Sequence, residues 1–279
     1  MSVRLEPVGR VVPRSWLVRR LRRGLARSVP LLTLAFLVCP LGITVLGSLT
    51  SAWQRSLFEP WTLAWYRYVF DHYLQAVTLS LEIALLTVVL TGLLGIPAAY
   101  ALARYHFPGR DFLEQLLLLP MMVPGIALGV ALIQTHAFMR GNWLLILAGH
   151  VVYTVPFVVD TLVSTLRAFN VGVLEECAAT LGAAWWSRFW RVILPNLRGA
   201  IIVSALTVFT LSMGEFNMTF ILYTPLTMTL PVGLFESYIN LRLEVGSAFT
   251  TIFLVIIVPV LLLIEWLGVA RHEGMAGNV

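Results

Sequence analysis

The stretch LEECAATLGAAWWSRFWRVILP, residues 174–195, decides how this chain is organised. Apolar residues recur at helical spacing from Leu174 to Leu181 and predict a short helix with one apolar face. Gly182 follows where a helix that ends in a left-handed residue needs a glycine. The basic and aromatic segment 185–192 predicts a second short helix. Two short helices at an angle would form a compact knob between two long apolar segments.

The polar and small residues of this knob suggest a docking surface. Glu175 and Glu176 are predicted in the first turn, where negative charge complements the helix dipole. The short side chains of Ala178 and Ala179 would let a partner's groove close around the helix, and Pro195 marks the entry to the next apolar segment. The local pattern alone also fits an interfacial helix that only caps a bundle.

The composition places the whole chain in a membrane. Its 279 residues are 59% hydrophobic and 12% charged, whereas soluble domains carry about 25% charged residues. All 19 basic residues are arginines. The absence of lysine from the sequence excludes a Walker A phosphate loop and Schiff-base chemistry. Any ATP that drives this protein must therefore be hydrolysed by another chain.

Six apolar segments reach the roughly 20 residues that a membrane-spanning helix needs, namely 29–50, 76–103, 116–137, 143–166, 199–223 and 245–264. The predicted fold class is therefore all-α, a polytopic membrane protein with six transmembrane helices. The predicted segments are a cytoplasmic Arg-rich tail (1–28), a first transmembrane helix (29–50), an extracytoplasmic aromatic-rich loop (51–73), a transmembrane domain (74–270) and a second cytoplasmic tail (271–279).

The arginines predict the orientation, because cytoplasmic loops carry an excess of basic residues. With the first tail inside, fifteen arginines lie on the cytoplasmic side and four on the other. Both termini are thus expected in the cytoplasm. The segment 16–27 would also suit an amphipathic helix on anionic lipid. The aromatic residues of 51–73 fit either an interfacial belt or a docking surface for an extracytoplasmic partner.

The knob resembles the EAA loop of ABC-importer permeases, which reads Glu-Ala-Ala, then a glycine, then Ile-x-Leu-Pro. Here the sequence reads Glu-Cys-Ala at 176–178, Gly182, and Val-Ile-Leu-Pro at 192–195. Cysteine and valine replace alanine and isoleucine, and both replacements are apolar and similar in size. The resemblance covers about residues 70–270. The segments at 214–222 and 227–235 are similar to the subgroup that imports spermidine/putrescine, 2-aminoethylphosphonate and ferric iron.

This resemblance implies the type I ABC permease fold and a permease subunit that forms the path for a small polar solute. It implies alternating access driven through the coupling loop 168–195, whose ATPase-coupling residues are Glu175, Glu176, Cys177, Ala178, Leu181, Gly182 and Ala183. The implied partners are two ATPase subunits that carry ATP and Mg, a second homologous permease in a heterodimer, and an extracytoplasmic solute-binding protein. The location is the bacterial cytoplasmic (inner) membrane. The chain itself is expected to be no enzyme and to bind no cofactor, metal or nucleic acid.

Ionisable residues inside the apolar segments are candidates for the translocation path, because such residues are costly in lipid and usually face a bundle interior. The candidates are Glu215, Asn217, Asp160, Tyr153 and Glu82. Each also fits an interhelical hydrogen bond or a gate without cargo contact. A histidine in the fourth segment, at position 150, is predicted to be a hydrogen-bonded core residue, since no second metal ligand lies near it at helical spacing.

Two other functions compete with an ABC permease. An ion-coupled secondary transporter could use Glu82, Asp160 and Glu215 as ion sites, although the sequence offers no convincing inverted repeat. A membrane-embedded enzyme is disfavoured because the sequence has no catalytic constellation. Cys39 and Cys177 have no metal-type spacing and are predicted to be packed thiols.

Overall fold

The computed structural model of the protein describes residues 14–53 and 60–276, with side chains described for 28–53 and 60–267. These residues form eleven α-helices, one 3₁₀ turn at Ala137–Met139 and one π-helical turn at Phe189–Ile193. The helices are α1 Arg14–Gly47, α2 Ala64–Arg104, α3 Arg110–Met122, α4 Gly125–Thr135, α5 Trp143–Ala168, α6 Val171–Thr180, α7 Trp185–Arg188, α8 Leu194–Gly214, α9 Asn217–Leu222, α10 Leu230–Ile239 and α11 Leu243–Ala276. The predicted all-α class is confirmed.

Five stretches of helix in the described part of the chain are long and apolar enough to cross a membrane, namely Ser28–Gly47, Ala64–Arg104, Trp143–Ala168, Trp185–Gly214 and Leu243–Leu267. The predicted third span, 116–137, is wrong as a single helix. It consists of α3 and α4, which meet at 102°. Pro124 causes the break, because proline disfavours helical geometry in the preceding residue. Val123 is accordingly extended, with φ −86° and ψ 128°.

The predicted fifth span, 199–223, also breaks. Helix α8 ends at Gly214, Glu215 is extended with ψ 117°, and the short helix α9 follows. Within the described residues, apolar helix is therefore interrupted at two places, between α3 and α4 and between α8 and α9. Helices α4 and α9 pack against each other. Backbone that leaves a helix at membrane depth must be buried in protein or line a cavity, so the two breaks mark the part of the bundle where a path can form.

Helices α2, α5 and α8 form the centre of the bundle. Val158 and Leu162 of α5 pack with Ala99 of α2 and Leu197 of α8 in one buried cluster. A Cβ atom added to Gly95 of α2 would lie 2.7 Å from the Val158 side chain, so this glycine lets the two helices approach closely. The cluster holds the three spans in fixed relation at their ends next to the predicted knob.

The segment 51–73, predicted to be a loop, is partly helical. Helix α2 begins at Ala64 and bends at Tyr73, where φ is −131° and ψ is 17°. Before it, Thr50 and Trp61 form an isolated antiparallel bridge. At the other end of the chain, α11 runs to Ala276, so it extends into the predicted tail 271–279. The first tail, 1–28, lies outside the described residues up to residue 13.

Candidate coupling loop and translocation path

Helix α6 forms the first half of the predicted knob. It begins at Val171, about one turn earlier than expected, so Glu175 lies in its second turn. Gly182 has a left-handed φ of +79°. Its N–H donates to the Ala179 carbonyl at 2.9 Å, and the Ala183 N–H donates to the Ala178 carbonyl at 3.1 Å. These two bonds are a Schellman motif, and they confirm the predicted left-handed glycine.

Glu175 anchors α6 to the end of α2. Its carboxylate accepts a hydrogen bond from the Tyr100 hydroxyl and another from Arg104 Nε, each at 2.5 Å. Glu175 is 3% exposed. The Tyr100 ring also meets the Phe189 ring edge to face, with centroids 5.5 Å apart. This glutamate therefore faces the bundle, although the sequence places it among the residues expected to meet an ATPase.

The opposite side of the knob faces away from the bundle. Leu181 is 88% exposed, and Cys177 and Gly182 are also exposed. The Glu176 side chain is 72% exposed and lies 3.8 Å from Arg104. Of the remaining predicted coupling residues, Ala178 and Ala183 are half-buried. Within this chain, Cys177 is thus not the packed thiol that the sequence predicts, and Cys39 on α1 is exposed as well.

The second half of the knob is continuous with the membrane span. Helix α7, the π-helical turn and α8 follow one another from Trp185 to Gly214, so the segment 185–192 is helical as predicted but continues into the span instead of ending as a short helix. The Leu194 N–H donates to the Phe189 carbonyl five residues back. Pro195 has no N–H to donate, and the wider π turn carries the helix into the proline without a break. Motion of the knob is therefore joined directly to α8.

Glu215 lies at the break between α8 and α9 and caps α9. Its carboxylate accepts hydrogen bonds from the Met218 N–H at 2.8 Å, the Thr219 N–H at 2.9 Å and the Thr219 hydroxyl at 2.7 Å. Its side chain is 7% exposed. An acidic group at a helix N-terminus is stabilised by the free amides and by the helix dipole. Glu215 is therefore already engaged by its own chain.

A buried polar network extends from this cap into the bundle. His150 Nδ1 lies 2.7 Å from Ser212 Oγ, and Nε2 lies 2.9 Å from Thr219 Oγ1. The Glu215 carboxylate lies 3.8 Å from His150 Nε2, and Ser212 donates to Thr87 of α2 at 3.5 Å. The predicted hydrogen-bonded core histidine is confirmed, and the network joins α2, α5, α8 and α9.

Of the other path candidates, Asn217 lies beside Glu215 at the start of α9, whereas no hydrogen bond among the described residues joins Tyr153, Asp160 or Glu82 to Glu215. Asp160, Glu82 and Asn217 are exposed, and Tyr153 is half-buried. Tyr153 packs edge to face on Phe157, with ring centroids 6.0 Å apart. Within the described chain, no hydrogen bond or ion pair joins Asp160 or Glu82 to the histidine network. These two carboxylates lie on surfaces of the subunit that its own helices leave open.

Residues that sequence reasoning missed complete both sites. Tyr100 and Arg104 anchor the knob, while Ser212 and Thr219 surround His150. The acidic residue directly after Gly214 was a usable signal, since a carboxylate ahead of a helix accepts hydrogen bonds from its first free amides. No group of three or more metal-ligating side chains forms among the described residues. Outside the spans, the hydrogen bond from Tyr223 to the Glu236 carboxylate raises the pKa of that tyrosine.

Residues 91–270 match the protein family described as the binding-protein-dependent transport system inner membrane component. The chain is 29% identical over 267 residues to the spermidine/putrescine transport system permease protein PotC of Escherichia coli K12, covering 94% of this chain and 98% of the relative. It is 28% identical to the putative 2-aminoethylphosphonate transport system permease protein PhnV of Salmonella choleraesuis, covering 89% and 96%.

Two solved structures share the fold. A bacterial ABC transporter involved in the import of the acidic polysaccharide alginate matches with a TM-score of 0.68 and 14% identity, covering 93% of this chain and 99% of that chain. The alginate transporter in complex with a periplasmic protein bound to an alginate pentasaccharide matches with a TM-score of 0.69 and 14% identity, covering 91% and 94%.

Proposed function

The chain belongs to the family of binding-protein-dependent transport system inner membrane components, and on that premise we propose how it is driven, what it assembles with and what it carries. It is the permease subunit of an ABC importer and has the type I permease fold. We propose that the knob, α6 with α7 and the π-helical turn, docks onto separate ATPase subunits. ATP and Mg are then bound by those subunits and not by this chain.

The anchoring of Glu175 is the observation that carries this proposal. Its buried hydrogen bonds with Tyr100 and Arg104 fasten the inner side of the knob to α2, while Leu181 on the outer side is 88% exposed. A surface loop that only connected two spans would need neither a buried carboxylate nor an exposed apolar face. A knob fixed to two spans can pass a partner's movement into the membrane.

The test is co-purification of the detergent-solubilised importer carrying Gly182→Arg. Gly182 has φ +79° and open space at its Cβ position, so the added side chain projects from the docking surface. Gly109→Arg is the matched control, because Gly109 has φ +83°, equally open space and a place in a different loop. Both variants add the same charge and similar backbone strain.

We expect Gly182→Arg to lose the ATPase subunits and Gly109→Arg to keep them. Retention of the ATPase by both variants would refute docking at the knob. Equal loss from both would show that strain or charge alone releases the ATPase, and this outcome would also contradict a specific role for Gly182.

A second permease subunit is proposed to cover the exposed spans. No residue of the apolar window in the span Ser28–Gly47 is buried within this chain, and Phe36 in it is 78% exposed. Asp160 and Glu82 lie exposed inside spans, where an ionisable group usually faces a partner or a water-filled cavity. We propose a heterodimer with a homologous permease, as the subgroup resemblance implies. A single permease species in the purified importer would contradict this.

We place the chain in the bacterial inner membrane with both termini in the cytoplasm, which the distribution of arginines supports. An extracytoplasmic solute-binding protein would deliver the cargo, and the alginate neighbour is complexed with a periplasmic protein. A reporter enzyme fused after residue 279 tests the orientation. A reporter that is active only outside the cytoplasm should stay silent there, and activity would reverse the topology.

The cargo is proposed to carry an amine, as polyamines and aminophosphonates do. The names of the relatives support this choice, and so do the two exposed carboxylates Asp160 and Glu82. Uptake of labelled putrescine and 2-aminoethylphosphonate by cells with and without the permease gene tests it. Asp160→Asn should raise the KM for an amine cargo, because a desolvated cation loses its countercharge. Absence of uptake of both compounds would exclude them.

A further inference from the structure

We propose that His150, together with Ser212 and Thr219, is a positioning residue for transport. These side chains hold Glu215 as the cap of α9, and the capped α9 forms the gate at the extracytoplasmic end of the path. Glu215 thus acts through the backbone of α9 and not as a ligand for cargo. This inference rests on the proposed path through the broken spans.

The position of Glu215 follows from helix length. Helix α8 begins at the cytoplasmic knob and contains 21 residues, which corresponds to about 32 Å of rise. The apolar core of a bilayer is about 30 Å thick. Because α8 also includes the polar residues Asn196 and Arg198, Glu215, directly after α8, lies within the outer part of the membrane, on the side away from the knob.

The hydrogen-bonding capacity of Glu215 is largely used within the chain. Three donors at 2.7 to 2.9 Å reach its two oxygens, and its side chain is 7% exposed. A cargo amine would have to displace the amides of Met218 and Thr219, which would uncap α9. The carboxylate is therefore built to fix the direction in which α9 leaves the break.

His150 connects the two sides of this break. Its two ring nitrogens contact Ser212, three residues before Glu215, and Thr219, four residues after it. The imidazole is 2% exposed. Its loss would remove one hydrogen bond from each of two buried hydroxyls, which would keep Thr87 and Glu215 as their other partners. The segment from Ser212 to Thr219 is thus fixed to α5 at both ends.

Helix α9 packs closely against α4 at two glycines. A Cβ atom at Gly129 would lie 3.0 Å from the Met218 carbonyl oxygen, and one at Gly125 would lie 3.2 Å from both Asn217 Cβ and Glu215 Oε1. Gly125 follows the break of the other discontinuous span. The cap of α9 and the start of α4 therefore touch, and a small rotation of α9 would change the opening between them. Asn217 is exposed, so the accessibility of a cysteine at this position would change with this movement.

The experiment uses the complete importer with its ATPase in nanodiscs and does not depend on knowing the cargo. Cys39 and Cys177 are replaced by serine, and Asn217→Cys is labelled with a membrane-impermeant maleimide. The labelling rate is compared between the resting importer and the importer trapped with ATP and vanadate. Hydrogen exchange of the α9 amides is measured in parallel. The variants are His150→Leu, His150→Gln and Ser212→Ala, and the control is Thr154→Val.

We expect trapping to change the labelling rate of Asn217→Cys, and His150→Leu to abolish that change. His150→Leu should also raise hydrogen exchange in α9 by about tenfold, because the two buried hydrogen bonds that join the break to α5 are lost. His150→Gln keeps a polar group near Thr219 and should restore part of both signals. Ser212→Ala provides the same test with a smaller change in volume. Thr154 is buried, and its only partner within the described part of the chain is the His150 carbonyl of its own helix, so Thr154→Val should resemble the wild type.

Three results would overturn the inference. The first is an unchanged ATP-dependent labelling ratio in His150→Leu and Ser212→Ala, even with faster exchange in α9, since a merely structural network gives that pattern. The second is unchanged α9 exchange in both variants. The third is failure of His150→Gln to restore either signal. Beyond the Cys177→Ser change that they share with their background, the His150 and Ser212 variants do not touch the knob, so ATPase binding equal to that of the background separates failure here from failure of the proposed docking.

Discussion

The anchoring of the knob predicts a large effect from one buried side chain. Glu175→Ala removes the acceptor of the Tyr100 hydroxyl and the partner of Arg104. Tyr100 is 5% exposed, so its hydroxyl stays buried after losing its carboxylate acceptor, with the side chains of Tyr105 and Trp185 near it, at a cost of about 1–3 kcal/mol. Arg104 is 28% exposed and recovers part of its hydration, so the loss is smaller than for a fully buried ion pair.

Together these terms give about 2–4 kcal/mol against docking of α6 on α2. Since 1.4 kcal/mol is tenfold, the ratio of docked to undocked α6 should fall by about 30- to 700-fold. Hydrogen exchange of the amides in Val171–Thr180 measures this ratio in the permease without its ATPase. Transport in the assembled importer should fall because the knob no longer moves with α2.

Glu176→Ala is the matched control. Glu176 is the next residue, but its side chain is 72% exposed and 3.8 Å from Arg104, so an exposed pair of this kind contributes less than about 1 kcal/mol. Its loss should leave exchange in α6 nearly unchanged while weakening ATPase binding. If Glu175→Ala leaves the protection of α6 within twofold of the wild type, the anchoring argument is refuted.

Three further predictions concern packing and exposure. Gly129→Ala should lower the free energy of unfolding by about 1–3 kcal/mol, because the added Cβ would lie 3.0 Å from a carbonyl oxygen of α9. A Cβ atom at Gly92 would meet nothing within 4 Å, so the control Gly92→Ala should leave the free energy of unfolding unchanged or raise it. Exposed Cys177 should react with maleimide in the permease alone and be protected by bound ATPase. Arg167→Ala removes a bidentate pair to α3 whose partners are 42% and 26% exposed, so unfolding measurements should detect less than about 1 kcal/mol.

The sequence predicts the spans well where apolar length alone decides them, and less well where a local break intervenes. The segment 116–137 has the composition of one span, yet Pro124 divides it at 102°. Proline at membrane depth is compatible with a kink or a full break, and packing against neighbours decides between them. The adjacent Gly214 and Glu215 could have indicated that α8 ends there. The prediction instead followed the apolar composition and extended the span to residue 223.

The coupling loop shows the same division between local and tertiary information. Gly182 is predictable because the Schellman motif is set by residues within one turn. The burial of Glu175 is not, since it depends on Tyr100 and Arg104, more than seventy positions away in the sequence. Two adjacent glutamates look equivalent in the sequence, and only the position of α2 makes one an anchor and leaves the other exposed.

Two helices join the knob to the capped break at Glu215, and we therefore expect the two sites to be coupled. The continuous helix Trp185–Gly214 has 30 residues, about 45 Å of rise, and it ends directly before Glu215. Helix α2 runs beside it and contacts both sites, through Tyr100 at the knob and Thr87 at the histidine network. If movement passes through both helices together, Glu175→Ala and His150→Leu must interact in a double-mutant cycle of ATP-dependent labelling, although the sites are remote. Distant independent sites give additive effects, so additivity here would show that the knob and the break work separately.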